Sequence, residues 1–572
     1  MPRFDSASVF GRLLDWDRGG FFSLSPAADH RSERRYVDDT LVLETNFVTG
    51  SGRIRILDCF VMRRGGRSHP HRQMLRLAEG LEGRVEVTAT LAPRFDYGAI
   101  APWIRRQGDG LFAALGGAAG LLVWSDIILE PSGLHDLTGN IELEAGQRAR
   151  VSIQFMPPEL LDDPSPQTPT AKDLDQRLEG TLEWWRDWAS TCRPSNAFER
   201  AALRSAVVLK GLTNAPTGAI VAAPTTSLPE TPGGVRNWDY RFSWIRDSAF
   251  TLRSLAELGF VKEADGFRRF VERSAAGSAD ELQIIYGVGG EHRLTEIELT
   301  HLEGYGGAAP VRIGNAAYNQ VQLDVHGVLA ELAATTHERG RQIDADYWRF
   351  LSGVIDAAAT RWRDKDRGIW EVRGEPRHFV QSKVMCWVAL DRGARIAQSS
   401  GLPCDLDRWL IARDEIRAAV ESLGYDHERG IFVRAFGDRD LDAALLLLPE
   451  YGFVPWDDER MVRTVDAIRA ELGRDGLLRR YRRDDGLEGV EGHFLCCSFW
   501  LIKCLARQGR REEAEEIYER ALLGSNELGL FSEEYDLTTG VLLGNFPQGL
   551  THLAHIQAAL ALEAHGGEAR PG

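Results

Sequence analysis

The sequence predicts a multidomain β + α protein, in which an N-terminal antiparallel β-sandwich precedes a ring of paired helices. Up to residue 156, short stretches of strand-forming residues recur between Gly-rich turns, which is typical of a sandwich. From residue 196 onward, apolar residues recur at three- and four-residue spacing, as on the buried faces of helices. We therefore expect domains at 1–156 and 196–572, with a linker and a linker helix over 157–195.

The strand predictions of the first domain depend on local pattern. The segment Leu41–Cys59 contains two strand-like runs around Thr49-Gly50-Ser51-Gly52, which favours a hairpin. Further strands are predicted at residues 84–91, 121–129 and 147–155. The Pro- and Asp-rich segment 156–170 then indicates a linker, and 174–192 predicts a helix that carries Trp184, Trp185 and Trp188.

The second domain is predicted to be helical throughout. Helices are expected at 197–213, 239–259, 262–276, 315–337, 344–363, 378–399, 405–423, 440–448, 457–472, 493–508, 510–523 and 548–565. Twelve helices can pair into six hairpins and close into a ring around a central cavity. The longest loops, 215–238, 277–314 and 524–547, are expected at the functional end of that ring, since long ordered loops on a rigid scaffold commonly carry function.

Composition excludes several classes of function. The formal net charge of −16 argues against a nucleic-acid or anionic-membrane partner, because phosphate binding needs clustered Lys and Arg. The N-terminus lacks the apolar region of a signal peptide, and no run of eighteen apolar residues predicts a membrane span. Seven Cys without regular spacing indicate free thiols in a reducing compartment, so a cytoplasmic location is predicted.

No cofactor or metal is predicted. The segment Gly287-Val288-Gly289-Gly290 lacks the spacing of a dinucleotide-binding motif, and no phosphate-binding loop of the Walker type occurs. His552 and His555 are three residues apart, which is a weak metal signal. We interpret them as core or surface histidines.

The segment WDYRFSWIRD, residues 238–247, places four charges among four aromatic residues at the start of a predicted helix. Asp239 and Arg246 are seven residues apart and would lie nearly in line on a helix, and the neighbouring Arg keeps Asp247 ionised. An ionised carboxylate can accept hydrogen bonds from sugar hydroxyl groups while aromatic faces cover the ring. The 15 Trp of the chain also suit sugar binding. The alternative is an amphipathic helix with an internal ion pair.

Two further segments combine carboxyl groups with aromatic residues. Trp370-Glu371 follows a predicted loop, and Phe531-Ser532-Glu533-Glu534-Tyr535-Asp536 contains three carboxyl groups before the last helix. Each alone is more typical of a solvated charge cluster or a helix cap. Together they supply what glycoside hydrolysis needs: one carboxyl group that holds a proton beside apolar surroundings, and one that is ionised.

Several long segments resemble glycoside hydrolase family 15, especially its bacterial trehalase-like and glucoamylase-like branch. They are PRFDSASVF, NWDYRFSWIRDSAF, PVRIGNAAYNQVQLDVHG, GIWEVRGEPRHFVQSKVMCWVALDRG and SEEYDLTTGVLLGNFPQGLTHLAHIQAAL. The resemblance covers nearly the whole chain. It implies an N-terminal β-sandwich and an (α/α)6 barrel, and an inverting exo-hydrolase that releases β-glucose from the non-reducing end of an α-glucoside.

The resemblance also assigns roles to residues. It implies that Glu371 is the general acid and Glu533 the general base, and that Arg246 and Asp247 hold the terminal glucose between Tyr240 and Trp244. Further substrate-binding residues are expected at Trp238, Asp239, Trp370, Arg480 and Glu534. Glu534 stands where many relatives have Gln, so it is a rival or a modulator of the base.

One departure concerns the start of the chain. Relatives carry additional residues, including strands, before the PRFDS motif, which here begins at Pro2. Either the start site was assigned late or the sandwich lacks its first strands.

The substrate stays open at this point. The resemblance favours α,α-trehalose, with isomaltose, isomalto-oligosaccharides, maltose and short α-glucans as alternatives. An inverting disaccharide phosphorylase would replace the base with a phosphate site, and a non-catalytic sugar-binding protein would lack Glu371 or Glu533. The expected partner is a small-molecule α-glucoside, with no nucleic acid and no membrane, and assembly into a homo-oligomer is left open.

Overall fold

The computed structural model describes residues 2–161, 168–275, 278–279, 281–482 and 491–564. It divides into two compact units, Met1–Arg193 with Leu299–Val311, and Pro194–Glu298 with Arg312–Gly572. The helix predicted within 157–195 therefore groups with the first unit. Residues 299–311, which the sequence assigned to the helical domain, also belong to the first unit, where the Gly304 N–H donates to the Leu14 carbonyl. Part of the predicted linker, 162–167, lies outside the described residues.

The first unit is built on antiparallel strands. In its described residues these are β1 Phe21–Pro26, β2 His30–Tyr36, β3 Leu43–Thr49, β4 Gly52–Phe60, β5 Gln73–Ala92, β6 Trp103–Gly108, β7 Leu111–Gly116, β8 Ala119–Ser125, β9 Glu130–Ser132, β10 Asp136–Glu144 and β11 Arg148–Met156. The order β2-β3-β4-β5-β11-β8-β7-β6 forms one path, β1 and β10 each pair with β5, and β9 pairs with β10. The predicted hairpin at 49–52 is confirmed as the β3–β4 turn.

Strand β5 belongs to two layers of this unit. Its first part pairs with β4 and β11, with Gln73 opposite Gln154, and its second part pairs with β1 and β10, with Arg84 opposite Glu144. Alternate residues of the second part point inward, as the two-residue period of a strand requires. Apolar residues from both parts share one core, including Ala78 and Val87. The predicted antiparallel β-sandwich is confirmed, although the sequence identified only the second part of β5.

Helix α1, Ala171–Ala189, covers one face of the sheet. Thr170 and Asp173 cap its first turn reciprocally, so two of the unpaired N–H groups are satisfied there. Leu174, Leu178 and Leu182 recur every fourth residue and pack against strand residues of the first unit. The predicted linker helix is therefore a helix of the β unit.

The second unit contains the remaining α-helices of the described chain. They are α2 Ala197–Gly211, α3 Ile245–Glu257, α4 Glu263–Ser274, α5 Asp324–Glu338, α6 Ala345–Arg361, α7 Val380–Ser400, α8 Leu406–Leu423, α9 Glu459–Leu472, α10 Leu495–Arg507, α11 Arg511–Leu522 and α12 Gly549–Ala564. Short two- and three-residue strands pair in their loops, at Ser243–Trp244, Ile285–Tyr286, Ile297–Glu298, Arg312–Ile313, Tyr425–Asp426, Ile431–Phe432, Gly473–Arg474, Leu477–Leu478, His493–Phe494, Glu534–Asp536 and Val541–Leu543.

The helices form two concentric rings. An inner ring runs through α3, α5, α7, the 3₁₀ helix Ala443–Leu447, α10 and α12, and it closes because α12 packs on α3. The outer positions are taken by α2, α4, α6, α8, α9 and α11, each against an inner neighbour. The predicted (α/α)6 barrel is confirmed. None of its described helices is both long and apolar enough to cross a bilayer.

Three predicted helices differ from the structure. The helix predicted at 440–448 is the 3₁₀ helix, which Asp442 caps and Pro449 follows. The helix predicted from 239 begins only at Ile245, because Ser243–Trp244 pairs as a strand with Ile285–Tyr286. The helix predicted from 315 begins at Asp324, and a short 3₁₀ turn capped by Asn315 precedes it. The proposed in-line arrangement of Asp239 and Arg246 on one helix is therefore wrong.

Candidate active site

Glu371 lies in the turn between α6 and α7. Its backbone has a φ of +56°, in the left-handed region that few residues other than glycine adopt. The turn is held from within and from outside, since the Glu371 N–H donates to the Gly368 carbonyl at 3.2 Å and the Glu371 carbonyl accepts from Gln320 Nε2 at 3.3 Å. Such strained residues persist only where their surroundings fix them, and they cluster at functional sites.

The Glu371 carboxyl group contacts the start of helix α3. Trp244 Nε1 donates to Glu371 Oε1 at 2.7 Å, and Arg246 lies 3.7 Å from the same oxygen. The side chain keeps 22% of its surface exposed. Burial raises the pKa of Glu371, although Arg246 and the Trp244 hydrogen bond act in the opposite direction. Glu371 therefore keeps its proton to a higher pH than an exposed glutamate does.

Arg246 and Asp247 lie together on the first turn of α3. Arg246 Nε donates to Asp247 Oδ1 at 2.8 Å, and its NH1 donates to the Ile369 carbonyl at 2.7 Å. The same arginine therefore holds Asp247 and the turn that carries Glu371. Both charged side chains are almost fully buried, at 9% and 6% exposure.

Glu533 lies in the loop before helix α12. Its Oε1 accepts a hydrogen bond from the Tyr240 hydroxyl at 2.9 Å, and its buried Oε2 has no hydrogen-bond partner among the described residues. A buried carboxylate oxygen of this kind is costly unless something fills the position beside it. Burial, and then the neighbouring carboxyl group of Glu230, raise the pKa of Glu533.

Residues of α12 hold the loop that carries Glu533. The Gln548 N–H donates to the Phe531 carbonyl at 2.9 Å, and Thr551 Oγ1 donates to the Ser532 carbonyl at 2.9 Å. The Phe531 N–H donates to His552 Nε2 at 3.2 Å. The loop is thus fixed on the side of the chain directly before Glu533.

The two histidines at 552 and 555 are core residues, as interpreted from the sequence. Because His552 Nε2 accepts from Phe531, its Nδ1 carries the proton and donates to Ser205 Oγ at 2.8 Å. Ser205 then donates to His555 Nδ1 at 2.8 Å, and His555 Nε2 donates to the Tyr518 hydroxyl at 2.8 Å. One backbone N–H therefore sets the direction of the whole buried network.

Two aromatic side chains connect Glu371 with Glu533. The rings of Tyr240 and Trp244 pack edge to face, with centroids 5.7 Å apart and planes at 75°. The Tyr240 hydroxyl donates to Glu533 and the Trp244 indole donates to Glu371. The structure thus brings these four sequence-predicted residues together with Arg246, which contacts Glu371.

Other predicted substrate contacts have different surroundings. Asp239 is completely buried, and its carboxylate pairs with Arg241 at 2.7 Å and accepts from the Gly314 N–H at 3.1 Å. Glu534 is also completely buried, and its Oε2 accepts from the Gly492 N–H at 2.6 Å. Neither side chain exposes surface to a ligand. The expected contact of Asp239 and Glu534 with substrate is therefore corrected: both side chains lie buried behind the site.

The remaining predicted substrate-binding residues, Trp370, Trp238 and Arg480, also contact other protein side chains. Trp370 Nε1 donates to Asp442 at 2.8 Å and its ring packs against Phe494, so the indole beside the Glu371 carboxyl group is that of Trp244. Trp238 is half-buried, with Arg373 4.1 Å from its ring centroid. Arg480 Nε donates to Glu491 at 2.9 Å, and part of the sequence motif that follows it, residues 483–490, lies outside the described residues.

Sequence reasoning missed two buried acidic residues at this end of the barrel. Asp324, the first residue of α5, is 1% exposed, and its Oδ2 has no hydrogen-bond partner in the described chain. Burial raises the pKa of Asp324 to about 7, although Arg246 opposes the shift. Glu230 is 3% exposed in a long loop. Asp324 lies in the segment PVRIGNAAYNQVQLDVHG, where no local pattern marks it as a site residue, and Glu230 lies outside the quoted motifs, so only the fold reveals their position.

The comparisons with known proteins identify the family of the chain. The family model described as "Glycosyl hydrolases family 15" matches residues 196–560, and a "Trehalase-like, N-terminal" model matches residues 1–126. The chain belongs to glycosyl hydrolase family 15. The resemblance seen in the sequence is confirmed, and the protein is a glycoside hydrolase.

Relatives in this family extend over nearly the whole chain. A trehalase of Mycolicibacterium smegmatis is 40% identical over 590 residues, covering 98% of this chain and 87% of the relative. A trehalase of Mycobacterium tuberculosis is 40% identical over 592 residues, with 98% and 85% covered. A bacterial glucoamylase complexed with acarbose superposes with a TM-score of 0.71 at 14% identity, covering 98% of this chain and 89% of that one, and shares the fold.

Proposed function

We propose that the protein is an inverting α,α-trehalase, in which Glu371 is the general acid and Glu533 the general base. The observation that carries the proposal is the pair Tyr240–Trp244, whose two polar hydrogens bind one carboxyl group each. Two carboxyl groups held on either end of one aromatic pair suit a sugar ring between an acid and a base. Trehalose is favoured as substrate because the trehalases named above match almost the entire chain.

Glu371 protonates the glycosidic oxygen in this mechanism. Its raised pKa keeps it in the acid form, and the 22% of its side chain that is exposed gives it access to a ligand. When the proton leaves, the carboxylate gains the Trp244 hydrogen bond and the nearby Arg246 charge. Both contacts stabilise the ionised product of the proton transfer.

Glu533 accepts the proton of the attacking water. Its Oε1 is held by Tyr240, so Oε2 is the oxygen that faces the water. Water attack on the opposite side of the anomeric carbon from the leaving group inverts the configuration. Arg246 and Asp247 bind hydroxyl groups of the terminal glucose. The aromatic rings of Tyr240 and Trp244 lie beside the glucose ring, which gains positive charge in the transition state.

The test is a substrate panel followed by the anomers of the products. The protein is incubated with trehalose, maltose, isomaltose, dextran and soluble starch, and released glucose is followed by NMR. We expect the highest kcat/KM on trehalose, with α- and β-glucose formed in equal amounts, because inversion yields β-glucose from one ring while the leaving ring stays α. Formation of α-glucose alone contradicts inversion, and preferential release from isomaltose or starch contradicts the trehalase assignment.

A control addresses the phosphorylase alternative. The same reaction is run in phosphate-free buffer and with added inorganic phosphate. A hydrolase with Glu533 as base forms free glucose in both buffers. Glucose 1-phosphate as a product contradicts the proposed role of Glu533.

A further inference from the structure

A cluster of buried and largely buried charged groups lies around the base. In the described chain its members are Glu230, Glu491, Glu533, Glu534, Arg236 and Arg480. Glu491 accepts from Arg236 NH1 at 2.7 Å and from Arg480 Nε at 2.9 Å. Arg236 lies 3.9 Å from Glu230, so its shorter contact is with Glu491. Four carboxyl groups thus share a buried volume with two guanidinium groups.

Two backbone hydrogen bonds fix Glu230 within this cluster. The Glu230 N–H donates to the Arg236 carbonyl at 3.1 Å, and the Gly544 N–H donates to the Pro229 carbonyl at 2.8 Å. Gly544 in turn lies against the base. A Cβ placed on Gly544 would be 3.0 Å from Glu533 Oε2 and 3.9 Å from Glu230 Cγ. The side chains of Glu230 and Glu533 therefore border the same small volume at Gly544.

We propose that Glu230 is a positioning residue of the reaction, which faces Glu533 across Gly544 and tunes, as a like charge, the proton affinity of the base. The proposal rests on the assignment of Glu533 as base. Glu230 is 3% exposed, and in this proposal it acts through Glu533 and not by contact with the substrate.

The pKa of Glu533 depends on several other groups that face it. Burial and then Glu230 raise the pKa of Glu533, and Glu491 adds to the increase. Arg480 and the Tyr240 hydrogen bond lower it. Glu534 is raised in the same way by burial, Glu230, Glu491 and Glu533, so the carboxyl groups titrate as a set.

This arrangement has a chemical consequence for the rate. A base with a pKa closer to the working pH accepts a proton from water with a larger driving force, provided that it is ionised. Glu230 therefore increases the strength of the base and restricts activity to pH values above the raised pKa. Removing the charge of Glu230 should therefore weaken the base and extend activity to lower pH.

The test is the pH profile of Glu230→Gln, which is close in size to glutamate and neutral. We expect the acid limb of kcat/KM to move to lower pH by about one unit and the plateau kcat to fall by about three- to tenfold. The alkaline limb, which reports Glu371, should not move. Glu230→Asp retains the charge and should keep the acid limb close to that of the unmodified protein. An acid limb of Glu230→Gln that coincides with the unmodified protein overturns the proposal.

A matched control and a second readout separate this inference from the proposed function. Glu44→Gln neutralises another buried glutamate, which pairs with Arg35 in the β unit, and should leave the profile unchanged. An equal shift in both variants overturns the proposal. The carboxyl titration of Glu533 is also followed by infrared difference spectroscopy against Glu533→Gln. If no α-glucoside is hydrolysed, the proposed function fails, but the titration still decides the role of Glu230. A lower pKa of Glu533 in Glu230→Gln supports that role, and an unchanged pKa contradicts it.

Discussion

The acid and base sides of the site are built in different ways. Glu371 lies in a strained turn, keeps part of its side chain exposed, and has a cation and an indole N–H as neighbours. Glu533 lies in a loop tied to α12, and other carboxyl groups surround it. Burial raises the pKa of both, but the next largest influence differs: the cation Arg246 lowers the pKa of Glu371, whereas the like charge of Glu230 raises the pKa of Glu533. The two limbs of a pH profile should therefore respond to different neighbours.

The largest expected effect separates the two carboxyl groups by role. Glu371→Gln and Glu533→Gln should each lower kcat on trehalose by about 10²- to 10⁴-fold, because each removes one proton transfer. α-Glucosyl fluoride has a leaving group that needs no protonation. We expect Glu371→Gln to recover most of its rate on this substrate and Glu533→Gln to stay slow, as measured by fluoride release. Equal recovery in both variants would contradict the assignment of Glu371 as acid and Glu533 as base.

A methyl group beside the base should have the next largest effect. Gly544→Ala places a Cβ 3.0 Å from Glu533 Oε2 and requires an alanine at a φ of +81°. Displacing a reacting group by a fraction of an ångström can lower kcat by about 10- to 100-fold. Gly437→Ala is the matched control, since its φ is +72° and no atom lies within 4 Å of its Cβ. Steady-state kinetics that fall equally in both variants would assign the loss to backbone strain alone.

Removing one hydrogen bond from each side should move opposite limbs of the pH profile. Tyr240→Phe removes a donor that lowers the pKa of Glu533, so the acid limb of kcat/KM should move to higher pH by about one unit. Trp244→Phe removes a donor that lowers the pKa of Glu371, so the alkaline limb should move to higher pH. The first change narrows the active range and the second widens it. Shifts of the same limb in both variants would refute the separation of the two sides.

The smallest effect concerns the histidine behind the base loop. Burial, and then His555, lower the pKa of His552 well below 6.5, so the unfolded chain binds a proton that the folded chain excludes. The stability that neutral His552 contributes is present above pH 6.5 and decreases as the pH falls below it. His552→Leu should lower the free energy of unfolding by about 1–3 kcal/mol near neutral pH, with a smaller loss at about pH 5.5. Urea unfolding at both pH values measures this, and an equal loss at both would contradict it.

Contiguous motifs predicted the parts of the site that lie close together in the chain. Trp244 and Arg246 were recognisable because they lie in one dense aromatic and charged segment. Asp239, in the same segment, was misplaced because the chain pairs as a strand before α3 begins. Glu230 comes to the base from a loop some 300 residues earlier, and no local pattern encodes that contact. The barrel was predictable from helical periodicity, whereas the 3₁₀ helix at 443–447 was not, because a short apolar run does not distinguish the two helix types.

The length of β5 should couple the unfolding of the two layers of the first unit. Since one continuous strand pairs with β1 and β10 in one layer and with β4 and β11 in the other, neither layer can open along β5 without disturbing its partner. Amide hydrogens of Leu77 and Val87, one from each half, should therefore exchange with solvent only through a common unfolding event. The sandwich would behave as one cooperative unit in native-state hydrogen exchange, despite its two layers.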